Sequence, residues 1–255
     1  MSVIAIFSGL FCNAQAVIQD AIESTGYRLI TDDRVIDKAA AQSGMSADKV
    51  RRAFAAKTSV FNAFTHEKEC SVACLRLALA EDLQGGAAVV HGFSSLLIPA
   101  SISHVLRVCI IAESAYRIEQ AATTQGLAEK EAARQIRAGD ADSAAWTMML
   151  YGTRDPWAES LYDMVIPMNR LDAAKAGALI EENLVKDAVR RNDASIHAEK
   201  DFLLAATVEM ALAKAGHDVS VAAENGVVTL TINKQVLMLS RLEEELKAIA
   251  GVIPG

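Results

Sequence analysis

Residues 3–22, VIAIFSGLFCNAQAVIQDAI, limit the fold more than any other stretch of the chain. Val3, Ile4, Ala5, Ile6 and Phe7 form a run of apolar, mostly β-favouring residues that breaks at Ser8-Gly9. A helix-period pattern follows through Ala16, Val17, Ile18 and Ile22. A strand, a glycine turn and a helix in immediate succession are how a phosphate-binding loop begins in an α/β protein. Such loops normally read G-x-x-x-x-G-K-[ST]: the glycines let backbone N–H groups approach phosphate, the lysine neutralises it and the hydroxyl meets Mg²⁺. This chain reads Gly9-Leu10-Phe11-Cys12-Asn13-Ala14-Gln15-Ala16. The frame is kept, while the second glycine, the lysine and the hydroxyl are replaced.

The next 170 or so residues repeat the alternation of short apolar runs and helical patterns that marks βαβ units. Strands are expected at 3–7, 28–30, 87–90, 105–111 and 163–168, giving a parallel five-stranded sheet with helices on both faces. Ligands of such sheets bind at the carboxyl ends of the strands. The spacing predicts an amphipathic helix over 66–83, helices near 114–125, 128–137 and 141–151, and a long helix over 172–189. The polar stretch 186–198, KDAVRRNDASIHA, reads as a linker or a frayed helix end. Beyond it come an amphipathic helix over 197–215, a hairpin turning at Glu224-Asn225-Gly226, and a closing helix over 235–250. Two domains are therefore expected, 1–190 and 191–255.

A chain of 255 residues with 52% hydrophobic and 22% charged residues can bury a substantial core. No apolar run approaches the roughly 20 residues of a membrane span. Met1-Ser2 leads into the first strand without a basic n-region, so no signal peptide is expected and the cytoplasm is the expected compartment. A formal net charge of −7 argues against nucleic acid as a partner, which draws on clustered Lys and Arg, and leaves room for a small anionic ligand. Cys12, Cys70, Cys74 and Cys109 have no disulfide-framework or zinc spacing. His66, Cys70 and Cys74 fall on one helical stripe, but His66 and Cys74 would stand about 12 Å apart along the axis, too far to share one zinc. Buried apolar thiols, and no metal site, are expected.

With these residues in view, 3–184 resembles the cytidylate-kinase-like branch of the nucleoside monophosphate kinases, with their P-loop fold. The resemblance rests on the strand–loop–helix start and on Gly26-Tyr27-Arg28-Leu29-Ile30-Thr31-Asp32-Asp33-Arg34, similar to the family's G-Y-x-x-x-D-R. It extends to Val89-Val90-His91-Gly92, similar to V-I-x-G-R, to the strand from Leu106 leading to Arg117, and to Leu161-Tyr162-Asp163-Met164-Val165-Ile166. It implies ATP with Mg²⁺ as the phosphoryl donor and a nucleotide or small phosphate ligand as partner. Contacts would come from Ser8, Gly9, Asn13, Ala14, Gln15 and Ala16 with Arg134 and Arg137, and catalytic roles from Arg117 and Asp32. The chain departs from the pattern at Gln15 and Ala16, at Phe93 for the arginine of G-R, and at Ser143 for the arginine of a D-x-x-R-x-x-Y segment read here as Asp140 to Trp146. Phosphoryl transfer depends on positioning and cationic stabilisation. Each lost donor of this kind typically costs ~3–4 kcal/mol in the barrier.

Residues 193–255 resemble a BON-type domain, on a signature running from Val219 to Leu230 around Asn225-Gly226. That family implies binding to phospholipid surfaces or partners; a plain dimerisation or core-covering unit is the alternative. Three readings of the whole follow: a nucleotide or phosphate-ligand binder with weak or no phosphotransfer and a regulatory role, an active ATP-dependent CMP-type kinase recruiting Arg117, Arg134, Arg137 or Lys38, and a structural or interaction protein.

Overall fold

The computed structural model describes residues 2–57, 66–232 and 239–253. The chain forms two compact units. The first comprises 1–32, 54–57 and 86–191, and the second 33–53, 58–85 and 192–255.

The first unit is built on five parallel strands, β1 (Val3–Ser8), β2 (Arg28–Thr31), β3 (Ala88–His91), β4 (Val105–Ile111) and β5 (Met164–Pro167), in the order β2-β3-β1-β4-β5. All five expected strands form, with ends within about two residues of the sequence reading. β1 is the central strand, pairing Ile6 with His91 on one side and with Val108 on the other. Its residues Val3 to Phe7 are buried throughout, as a strand covered on both faces requires. Ile4 and Ile6 join Val17, Ile18, Val108, Ile110, Ala176 and Ile180 in one core layer with the helices α1 (Ala14–Thr25) and α7 (Ala173–Leu184). On the other face Phe7 meets Phe93 and Trp157.

Between β4 and β5 run α5 (Ser114–Gln125) and α6 (Glu129–Tyr151). The sequence suggested two helices in the α6 region, but the helix is continuous through Gly139-Asp140. A lone glycine costs a helix only about 1 kcal/mol, and here its missing side chain is filled by a neighbour, the Leu10 side chain. The helix expected over 172–189 stops sooner: Asp172 caps α7, accepting from the Lys175 N–H at 2.8 Å, and a 3₁₀ turn, Asp187–Val189, follows.

The second unit contains most of α2 (Asp32–Ser43), α3 (Ala47–Arg51), α4 (Glu67–Leu83), α8 (Asp193–Lys214), the hairpin β6 (Ser220–Glu224) and β7 (Val227–Thr231), and α9 (Leu239–Gly251). The α4 helix is buried on most of its circumference and is not amphipathic, because α8 packs along it. Its Arg76 donates to Glu209 of α8 at 2.5 Å. Of the stretch 186–198, read as a linker or a frayed helix end, the part from Asp193 is the start of α8, closed by a capping box in which Asn192 and Ser195 exchange side-chain-to-backbone hydrogen bonds. Asn225 and Gly226 both take positive φ, the two-residue turn that matches strand twist, and Asp201 accepts from both N–H groups at 2.8 Å. The closing helix expected over 235–250 is described from Leu239 to Gly251; residues 235–238 of that expectation lie outside the described ones.

Asp82 on α4 organises the polar contacts to α2, accepting from Arg34 Nε at 2.7 Å and Lys38 Nζ at 2.9 Å. Burial pushes its carboxyl up, yet the hydrogen bonds from Arg34 and Lys38 outweigh this and hold it below the ordinary carboxylate range. A depressed folded value stabilises above the unfolded pKa of about 3.9 and is lost as pH falls through the folded one. Asp82→Asn should therefore cost about 1–3 kcal/mol at neutral pH. The deficit relative to wild type should shrink in urea titrations run below about pH 4.

Candidate functional site

The loop between β1 and α1 has an unusual backbone. Gly9 is buried and its N–H donates to the Ile110 carbonyl at 3.1 Å, continuing the β1–β4 ladder by one residue. Phe11 and Asn13 then take φ of 59° and 56°. Left-handed backbone is uncommon outside glycine, and a bulky residue there is a genuine outlier. Asn13 stands at the start of α1 without a side-chain cap bond, so the helix N-terminus is not closed by its own residue. Ala14 is buried, Ala16 half-buried and Gln15 exposed.

Arg117 of α5 lies over this loop. A Cβ added to Gly9 would come within 3.3 Å of the guanidinium, so glycine is what admits the arginine. Arg117 Nε donates to the Leu10 carbonyl at 2.8 Å, and Nη1 and Nη2 donate to the two oxygens of Asp140 on α6 at 2.9 and 2.7 Å. This is a bidentate fork, the geometry that guanidinium offers to carboxylate and phosphate alike. The Leu10 side chain seats on Gly139, whose added Cβ would meet Leu10 Cδ1 at 2.5 Å. The Cys12 thiol is packed against Gly9, and burial, partly offset by Arg117, pushes it up to about 11.

The other residues singled out in the sequence are spread more widely. Ser8 Oγ lies 3.2 Å from His91 Nε2, joining the ends of β1 and β3. Burial pushes the His91 imidazole below its ordinary value, so it is neutral near pH 7. Asp32 accepts from the N–H groups of Phe93 and Ser94, each at 2.8 Å, and so caps the 3₁₀ helix Phe93–Leu97. Its carboxylate packs on Gly92, which has φ of 109° and no room for a Cβ. Arg134 is exposed and paired with Glu131, and Arg137 is exposed on the same helix. Lys38 belongs to the second unit, where it is held by Glu81 and Asp82. Cys12, Cys74 and Cys109 are buried and Cys70 is half-buried. No group of three His, Cys, Asp or Glu side chains suited to a metal forms among the described residues.

Phe93 and Trp146 belong to an aromatic cluster that no local sequence signal announces. Phe93 stacks on Phe54 with centroids 5.1 Å apart, Trp146 meets Phe54 edge-on at 4.9 Å, and Trp146 Nε1 donates to the Phe93 carbonyl at 3.0 Å. Ser143, one turn before Trp146, is buried too.

These features define a doubly wound α/β protein whose central strand feeds a strained loop and a helix N-terminus. The chain belongs to the cytidylate kinase-like family, whose model matches residues 3–170. In structure it is similar to an uncharacterized protein from Eubacterium ventriosum ATCC 27560, with a TM-score of 0.53 at 11% identity over 72% of this chain and 98% of that one. TT1252 from Thermus thermophilus aligns with a TM-score of 0.34 at 15% identity over 54% of this chain and 79% of that one. No curated protein matches the chain. No helix among the described residues is long and apolar enough to cross a membrane.

Two measurements probe this region. Trp146→Ala removes a fully buried indole and should lower stability by about 3–5 kcal/mol. A histidine with a depressed folded pKa stabilises above its unfolded value near 6.5 and ceases to do so as pH falls through the folded one. Wild-type stability should therefore decline below about pH 6.5, and His91→Gln should flatten that part of the pH profile.

Proposed function

We propose that the first unit binds a nucleotide or small phosphate ligand at the loop after β1 and transfers phosphoryl groups weakly or not at all. The observation that carries this reading is the left-handed backbone of Phe11 and Asn13 in the loop whose Gly9 and Leu10 the Arg117 guanidinium touches. Strain of this kind costs on the order of 1–3 kcal/mol per residue and clusters at ligand clamps. Alternating backbone conformations turn successive N–H groups inward as an anion nest, and a helix N-terminus adds a favourable dipole. Ser8, Gly9, Asn13, Ala14, Gln15 and Ala16 are the proposed contacts, with Arg117 as the cation. Membership of the cytidylate kinase-like family supports the same ligand class.

Weak transfer is favoured by what surrounds the loop. Gln15 and Ala16 offer neither a cation nor a hydroxyl for Mg²⁺. Phe93 is held in an aromatic cluster and Ser143 is buried, where the family pattern has arginines. A negatively charged acceptor phosphate finds no counter-charge from these two positions. Asp32 serves as a cap, and Arg134 is paired with Glu131 at the surface. The second reading, an active ATP-dependent CMP-type kinase, is favoured by Arg117 facing the loop, since one arginine can carry a large share of transition-state stabilisation.

We read 191–255 as a BON-like module serving a partner or a second copy, in a cytoplasmic protein. The sheet of β6 and β7, two-stranded among the described residues, and the helix on either side in sequence support this. The deciding experiment is a thermal-shift series with ATP, ADP, CMP and inorganic phosphates, with and without Mg²⁺. A rise in Tm of several degrees with ATP or ADP is expected, through preferential binding to the folded state. No shift at millimolar ligand removes the nucleotide reading. Turnover of ATP with CMP that disappears in Arg117→Gln establishes the kinase reading instead.

A further inference from the structure

Arg117 and Asp140 are unequal partners. The arginine side chain is 7% exposed and the aspartate 34% exposed. Arg117 is also tied by Nε to the Leu10 carbonyl, whereas Asp140 makes no other hydrogen bond or ion pair among the described residues. A buried cation left without an anion is strongly destabilising, so the guanidinium must always have one. The carboxylate, by contrast, rehydrates readily from its half-open position. The pair is therefore built to exchange its anion while the arginine stays in place.

Resting on the nucleotide reading above, we propose that Asp140 sets the ligand specificity of the loop. Its carboxylate holds the position on Arg117 that a terminal phosphoryl group takes, so ligands with a free terminal phosphoryl displace it and phosphodiesters do not. The argument is one of shape and charge. The fork accepts two oxygens side by side, which a carboxylate and a terminal phosphoryl both present. A terminal phosphoryl brings more negative charge than the single carboxylate it replaces. A diester brings only one charge, with substituents on two of its oxygens, and gains nothing over Asp140. Displacement also frees α6 locally, because Asp140 and the Gly139 seat for Leu10 are adjacent contacts between that helix and the loop. Ligand binding and release of the 136–142 turn are thus one event.

The test is calorimetric titration of the full chain with ATP, pyrophosphate and 3′,5′-cyclic AMP, comparing wild type with Asp140→Asn. The substitution keeps the shape and removes the competing charge. Asp140→Asn should bind ATP and pyrophosphate about ten-fold or more tightly than wild type, and cyclic AMP should now bind as well. The pyrophosphate arm separates a nucleotide from a free polyphosphate as the ligand. Deuterium exchange on wild type supplies a readout that does not depend on the variant folding: with ATP, amides of 9–13 should exchange more slowly and those of 136–142 faster. Equal affinity of the two proteins for ATP, or a 136–142 turn that ATP protects, overturns the role of Asp140 and leaves the nucleotide reading standing. Binding of none of the probes to either protein overturns both.

Discussion

A guanidinium buried beside a backbone carbonyl and a carboxylate is the contact on which the carboxyl end of the sheet depends. Arg117 joins three pieces of chain far apart in sequence: the loop after β1, the first turn of α5 and the middle of α6. None of the three is held there by apolar burial alone. Leu10 is about half exposed, and the Asp140 side chain is 34% exposed. Removing Asp140 would leave the buried guanidinium without its anion, and the cost of that exceeds the modest net gain of forming the pair. The interaction is therefore better suited to fixing an arrangement than to adding stability. An arrangement held by an exchangeable ion pair is also one that an anion can address.

Apolar packing dominates the neighbouring region. Phe93 and Trp146 share a cluster with Phe54 and Phe7, and the indole N–H is spent on the Phe93 carbonyl. Each ring is satisfied by another, with no side-chain donor turned to a ligand. Asp32, which a motif reading places among the reactive groups, spends both oxygens on the N–H groups that open the neighbouring 3₁₀ helix. Ser8 and His91 satisfy each other across the two adjacent strands. The carboxyl ends of β2 and β3 are thus engaged in structural bonds, while the loop after β1 carries the left-handed backbone of Phe11 and Asn13. That contrast favours a phosphate at the loop over an acceptor at the ends of β2 and β3.

Much of the sheet was legible because its signal is local. Five short apolar runs between helical patterns leave few alternatives to a parallel sheet, and Asn225-Gly226 announces its turn by residue type. What escaped has non-local causes. Helix α4 has the composition of an amphipathic helix, but α8 covers it, and a helix covered around most of its circumference loses its polar face. Gly139 reads as a break between two helices until Leu10, more than a hundred residues earlier, is seen to fill the space. The polar run after Lys186 reads as a linker because a capping box is written in the same polar residues that mark loops. The second unit draws on segments on either side of β3 to β5, which no window along the chain can detect. At the site, Arg117 was visible as a candidate, but Asp140 as its counter-ion was not, since their contact depends on how two helices meet.

The left-handed residues of the loop are not glycines. At Phe11 and Asn13 the chain keeps a backbone that glycine would adopt almost without cost. Phenylalanine there pays a steric penalty, and asparagine a smaller one, since its short polar side chain tolerates this region. A turn whose only task was to join a strand to a helix would relax into an ordinary conformation, because many short connections of this length exist. The strain persists because the surroundings over-determine it: Gly9 is pinned by Ile110, Leu10 by Gly139 and Arg117, and Cys12 by burial. A loop pinned on this strained path is easier to understand with the proposed anion site than as a plain connection between a strand and a helix.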